Sequence, residues 1–100
     1  MDENLDLIGR IATSRAGRDK NRSFVIVDVL DNEYVAIADG MLRKLAKPKK
    51  KKLKHLFLQR DSAVIIKQRL SEGQQVLDAQ IRDCLLDLGY NRDKQDQKEG

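Results

Sequence analysis

Apolar residues in the first sixty positions recur mostly at the two-residue spacing of strands, and over the following thirty at the three- and four-residue spacing of helices. Leu7 to Thr13 is short and partly alternating, Ser23 to Leu30 is dense in β-branched side chains, and Tyr34 to Ala38 resumes after Asp31-Asn32-Glu33. The last two runs predict a hairpin, because the short polar side chains of Asp31 and Asn32 bond local backbone and tolerate unusual dihedrals. Val25, Val27 and Val29 fall on one face of the second strand, opposite Phe24, Ile26 and Leu30, where Asp28 interrupts the apolar row. The valine face is therefore expected to point inward. A fourth strand is predicted over Lys52 to Leu58, where Leu53, His55 and Phe57 alternate with Lys54, Leu56 and Leu58. Four or five short strands in about 55 residues are too few for two packed sheets, so a small, strongly bent barrel that closes its own edges is the economical arrangement.

Beyond residue 60 the period changes. Asp61 or Ser62 is placed to cap a helix running to about Glu72, with Ile66 and Leu70 four apart and Gly73 as its left-handed stop, although Val64-Ile65-Ile66 also reads as strand. A second helix is predicted from Asp78 to Leu88, with Ile81, Cys84, Leu85 and Leu88 on one stripe and Gly89 after it. Residues 91 to 100 hold no apolar side chain and predict a disordered tail; the acidic residues 1 to 6 predict a flexible start. The fold class is thus mainly β (α+β): a barrel over 7–60 and two short helices over 61–90.

Composition bounds the chemistry. The chain of 100 residues is 40% hydrophobic, 36% charged and only 4% aromatic, which predicts a small aliphatic core under an ionic surface. No apolar run approaches the roughly 20 residues of a membrane-spanning helix, and the acidic start lacks the basic character of a targeting peptide. A soluble, cytoplasmic protein with no membrane partner is expected. The lone Cys84 and lone His55 assemble neither an internal disulfide nor a Cys/His zinc set, and no nucleophile motif surrounds any Ser. The reading is therefore not an enzyme, with no metal, cofactor or small-molecule substrate.

The net charge of +4 conceals a division, since the first 60 residues carry fourteen bases against eight acids and the last 40 carry six against eight. Two segments hold most of the bases. In Ser14-Arg15-Ala16-Gly17-Arg18-Asp19-Lys20-Asn21-Arg22, the cations are suited to clamp phosphate oxygens while Gly17 allows close backbone approach; a solvated hairpin loop is the plain alternative. In Lys47-Pro48-Lys49-Lys50-Lys51-Lys52-Leu53-Lys54-His55, six lysines in eight positions make a field for polyanions, and Pro48 holds the segment extended. A disordered run or an import signal would look alike. The lysines lead, however, straight into Leu53, Leu56, Phe57 and Leu58, which tethers them to the core and favours a docking surface. His55 suits a phosphate or a structural place, Cys84 a core place, and Phe24 and Tyr34 the core more than base stacking.

Ile8-Gly9-Arg10-Ile11-Ala12, the loop around Gly17 and the strand Phe24 to Val29 together resemble a KOW motif. With Asp39-Gly40 and the Lys-rich stretch into Lys54-His55-Leu56, the chain resembles a bacterial group of KOW RNA-binding proteins akin to the large-subunit ribosomal proteins of the fourteen-e, six-e and twenty-seven-e kind. The likeness spans roughly residues 7 to 58. It implies an SH3-like β-barrel that binds ribosomal or other structured RNA through loops at one edge. Its contacting set would be Arg15, Gly17, Arg18, Lys20 and the lysines around Pro48, with His55 where the family keeps a histidine. One departure is Asn21, where many relatives have Gly; Asn tolerates the left-handed conformation, so the turn is expected to survive. The expected RNA-binding residues are thus Arg15, Gly17, Arg18, Lys20, Arg22, Lys47, Lys49, Lys50, Lys51, Lys52, Lys54 and His55. The expected partner is RNA, ribosomal RNA first, with ribosomal proteins beside it and the chain itself a monomer. Two competing readings are an adaptor for an acidic protein partner, on which the Ile81, Leu85, Leu88 stripe docks, and a transcription-elongation accessory using the same barrel.

Overall fold

A computed structural model describes residues 7–92. The flexible start expected over 1–6 and residues 93–100 of the expected tail lie outside the described residues. Five strands form one antiparallel sheet: β1 (Arg10–Ser14), β2 (Ser23–Val29), β3 (Tyr34–Ala38), β4 (Lys49–Lys52) and β5 (Leu56–Ser62), in the spatial order β4-β3-β2-β1-β5. Two helices follow, α1 (Val64–Ser71) and α2 (Asp78–Asp87). β2 and β3 make the expected hairpin, and Asp31 Oδ1 accepts the backbone N–H groups of Glu33 and Tyr34 at 2.8 and 2.9 Å. Those two bonds, with a smaller contribution from the Lys50 charge, hold the Asp31 carboxyl below its ordinary range.

The single strand expected over Lys52–Leu58 is in fact two strands broken by a 3-10 turn at Leu53–His55. Leu53 and Leu56 both pack on the core at a spacing of three, which suits a 3-10 turn and not a strand. The break has a geometric cause. β4 and β5 are the two edges of a five-stranded sheet, about 19 Å apart were it flat. Four residues of fully extended chain reach only about 14 Å, and a 3-10 turn less. The sheet must therefore curl to bring its edges towards each other. It is not closed, because β4 pairs only with β3 and β5 only with β1. The connector is stitched to both sides: Leu53 N–H donates to Glu33 O at 2.7 Å, and Arg15 N–H to His55 O at 2.8 Å.

Curling gives the sheet two buried faces, and the expectation that the valines line the inside is corrected. The concave side is filled by Ala12, Phe24, Ile26, Val35, Ile37 and Leu56. The convex side carries Ile11, Val25 and Ala38, which register across three adjacent strands and lie under the helices. Val25 and Val27 therefore face the helices while Val29 turns to the concave core. The cause is the register shift between Ile26 and Asp28, an extra residue that reverses the alternation beyond it. A sheet covered on one face only would have needed one apolar row; this one uses both.

α1 begins after Ala63 and without a side-chain cap, contrary to the expected start at Asp61 or Ser62. Both of those residues belong to β5, which pairs with β1 past a register shift between Ala12 and Arg10 and continues until Ala63 N–H donates to Gly9 O at 2.7 Å. Ile66 points into the convex core while Val64 and Ile65 are exposed, so the apolar run is helical. Gly73, with φ 72°, stops α1 as expected. α2 buries Ile81 and Leu85 fully against the sheet, each contributing about 1.5–3 kcal/mol by leaving water. Asp78, at its amino end, accepts the backbone N–H of Leu45 at 2.7 Å and so holds the 39–47 loop. Past α2, the Asn91 side-chain amide donates to Ser23 O and accepts from Ser23 N–H, both at 2.9 Å. Tyr90 donates to Asp61 Oδ2, and its hydroxyl is pushed up to about 12, by burial first and then by the bond to that carboxylate and its charge. These bonds fasten the helical end to the start of β2 and the end of β5. Among the described residues, no helix is long and apolar enough to cross a membrane.

Candidate nucleic-acid interface

The loop joining β1 to β2 folds across towards β4, and this brings the two basic segments together. Its backbone is self-supporting: Asn21 N–H donates to Ser14 O, Lys20 N–H to Gly17 O and Arg22 N–H to Asp19 O. Gly17 and Asn21 both sit at positive φ, 83° and 73°. Asn21 thus adopts the left-handed conformation that its short side chain tolerates. The loop is then tied to β4, where Lys51 Nζ donates to Ala16 O at 3.1 Å and Lys49 Nζ lies 3.9 Å from Asp19.

Register decides what each lysine of β4 can do. Lys49 opposes Ile37 and Lys51 opposes Val35, so both share the concave face with core residues, and their ammonium groups reach outward to the loop. Lys50 and Lys52 project from the other face, 4.5 and 5.5 Å from the centroid of the Tyr34 ring. An ammonium over an aromatic face gains about 0.5–1 kcal/mol at an exposed site and keeps its charge available to solvent. Tyr34, expected in the core, is half-buried as the seat of this clamp. The segment read as a basic loop is an edge strand whose lysines alternate between two tasks.

Two buried carboxylates organise the surroundings. Asp39 is fully buried, accepts the backbone N–H groups of Met41 and Arg43 on Oδ1, and takes the Arg22 guanidinium on Oδ2. Asp19 is 8% exposed and accepts Arg43 Nε and Nη2 at 3.2 and 3.1 Å. Arg22 is therefore committed to holding the 39–47 loop. Asp19, the only acid within the basic loop, is answered by Arg43 and Lys49. Neither aspartate is left to repel an approaching anion.

What remains for a partner is the exposed set. Arg15, Arg18, Lys20, Lys47 and Lys54 make no side-chain hydrogen bond or ion pair among the described residues, and all five are exposed. Arg15 and His55 are joined through their backbones, so the first loop and the 3-10 turn form one continuous edge. Lys47 lies at the turn that leads into β4. At the far end of that edge, Lys52 and Lys54 line a hollow of about 430 Å³ with Asn32, Glu33 and Leu53. Glu33 offsets the positive field there, so the field is least opposed around Arg15, Arg18 and Lys20. One residue here was misread: Phe57, expected to tether the lysines to the core, is 55% exposed on β5, opposite Thr13 and two residues from His55. The 3-10 turn resets the alternation, which places Leu56 inside and Phe57 outside. Arg43 and the two aspartates also escaped sequence reasoning, because their pairing depends on side chains 17 to 24 residues apart in the chain.

No protein-family model matches this sequence, and no curated protein matches it either. The functional reading accordingly rests on the residues themselves.

Proposed function

We propose that this chain is an RNA-binding protein, ribosome-associated or akin to a ribosomal protein, that docks on structured RNA through the edge formed by the Arg15–Lys20 loop, β4 and Lys54-His55. The observation that carries the reading is the convergence of two basic segments, 35 residues apart where Lys51 meets Ala16, on one edge where Asp19 and Asp39 are internally paired. The strongly curled five-stranded sheet, with a 3-10 turn joining its edge strands, supports the SH3-like barrel of the KOW resemblance. Cations alternating over a folded surface suit phosphates and helix shape, and among the described residues no array of amides or carboxylates sits with them to read base edges. Recognition is then dominated by phosphate neutralisation. Phe57, exposed beside His55, adds an aromatic face on which an unstacked base at the margin of a helix can rest. The stripe-docking form of the adaptor reading loses support, because Ile81 and Leu85 are spent on the chain's own sheet.

Neutralising phosphates releases counterions, so the affinity of the whole protein for an RNA hairpin is expected to fall steeply with salt. Fluorescence anisotropy at several salt concentrations measures the slope. Lys47→Ala with Lys54→Ala should lower it by about two, one for each phosphate that is no longer neutralised. A flat salt dependence, or a slope indifferent to both substitutions, would remove the assignment.

A further inference from the structure

The convex side of the molecule presents a second surface that RNA binding does not use. Between α1 and α2 runs a groove of about 430 Å³, lined by the apolar run Val64 to Ile66 with Cys84 and Leu88, and by the carboxylates of Asp83 and Asp87. Its apolar residues are open to solvent: Val64 is 67% exposed, Ile65 63% and Leu88 40%. Three large aliphatic side chains in one hollow are more than the scattered exposure a monomer ordinarily carries. They are also unnecessary for the fold, since Ile66, Ile81 and Leu85 already bond the helices to the sheet.

The chemistry of the groove selects its occupant. Asp83 is partly answered by Arg82 at 3.2 Å, whereas Asp87 has no ion pair among the described residues. The chain's own remaining segments do not suit it: residues 93–100 contain no apolar side chain, and Asp2, Glu3 and Asp6 near the start carry the same sign as Asp83 and Asp87. A second copy related by a two-fold axis would bring the same acidic patch into the interface from both sides, so like charges oppose that arrangement. An apolar groove that also carries two exposed carboxylates is the complement of a helix whose apolar stripe is flanked by Lys or Arg. We propose that the groove between α1 and α2 docks a basic amphipathic helix of a protein partner. This surface is built from α1 and α2 and not from the basic loop, β4 or Lys54-His55, and it does not depend on the RNA reading. If both hold, the molecule joins an RNA to a basic protein through two surfaces of opposite charge.

The test titrates the full ¹⁵N-labelled chain with a synthetic peptide of about 18 residues, some five helical turns, carrying Leu at i, i+3, i+4 and i+7 and Lys on either side. Shifts are expected at Val64 to Ile66 and Asp83 to Leu88. Ile65→Ser, on the exposed side of α1, and the double variant Asp83→Lys with Asp87→Lys should each weaken binding about tenfold. A peptide with Glu in place of Lys should bind at least as poorly. Shifts absent from the groove, or equal binding of the two peptides, would overturn the proposal. So would self-association in sedimentation that Ile65→Ser abolishes, because the occupant would then be another copy. RNA affinity measured on the same Ile65→Ser protein should be unchanged, which separates failure here from failure of the RNA reading.

Discussion

Reversing two charges, Arg15→Glu together with Arg18→Glu, is expected to weaken binding to structured RNA about a hundredfold at moderate salt while leaving the fold intact. The choice of residues follows from what each cation is already doing. Arg22 holds Asp39, Arg43 and Lys49 answer Asp19, and Lys51 ties β4 to the loop at Ala16. Substituting those residues would disturb the loop and its field together, so a loss of binding would have two causes. Arg15 and Arg18 are exposed and their side chains have no internal partner among the described residues, so replacing those side chains acts on the partner alone. Reversal exceeds neutralisation because it places an anion where a phosphate would lie. Mobility shift and circular dichroism on the same preparation provide the check: binding should fail while the spectrum and the Tm remain as in the parent. Affinity within about twofold of the parent would reduce the loop to a connection between β1 and β2.

The largest effect on stability is expected from a single methyl group at Gly40. Its φ is 80°, and a Cβ there would lie 2.2 Å from Asp78 O and 2.9 Å from Arg82 N. Both atoms are backbone of α2, held by the helix's own ladder, and cannot yield as a flexible side chain would. The strand end at Ala38, the Asp39 turn and the amino end of α2 meet at this point, with Leu45 bonded to Asp78. Gly40→Ala must therefore displace α2 from Val25 and Ala38 or unravel the turn. A cost above about 4 kcal/mol is expected, a large part of the 5–15 kcal/mol that holds a domain folded. Gly73→Ala is the matched control, since Gly73 also has positive φ but a Cβ there would meet nothing within 4 Å. It should lose only the left-handed penalty of about 1–2 kcal/mol. Urea unfolding of the two variants measures the difference, and equal midpoints would mean that α2 is not seated on Gly40.

The sequence was most informative where local chemistry decides structure. Tyr34–Ala38 is the strand expected, the Asp31 turn forms, Gly73 ends α1, and Ile81 and Leu85 are the buried side of α2. It misled where one residue changes parity. The shift between Ile26 and Asp28 sends Val29 to the side opposite Val25, and the 3-10 turn at Leu53 turns Phe57 outward. Both irregularities serve a sheet that must curl, a demand set by how five strands connect and not by any short window of sequence. The candidate interface shows the same division. Its basic segments stand out in the charge pattern, but which cations face a partner depends on Asp19 and Asp39, whose partners come from other loops and strands. Alternation along β4 assigns Lys49 and Lys51 to the loop and Lys50 and Lys52 to Tyr34 only once its register on β3 is known.

The most direct test of the central claim is ultraviolet crosslinking of the intact protein to RNA in its native cells, followed by sequencing of the attached RNA and mapping of the crosslinked peptides. The account predicts RNA enriched in ribosomal sequence, clustered at folded segments, with crosslinked peptides from the Arg15–Lys20 loop, Lys47 to His55 and Phe57. Absence of RNA above background, or crosslinks confined to α1 and α2, would contradict it.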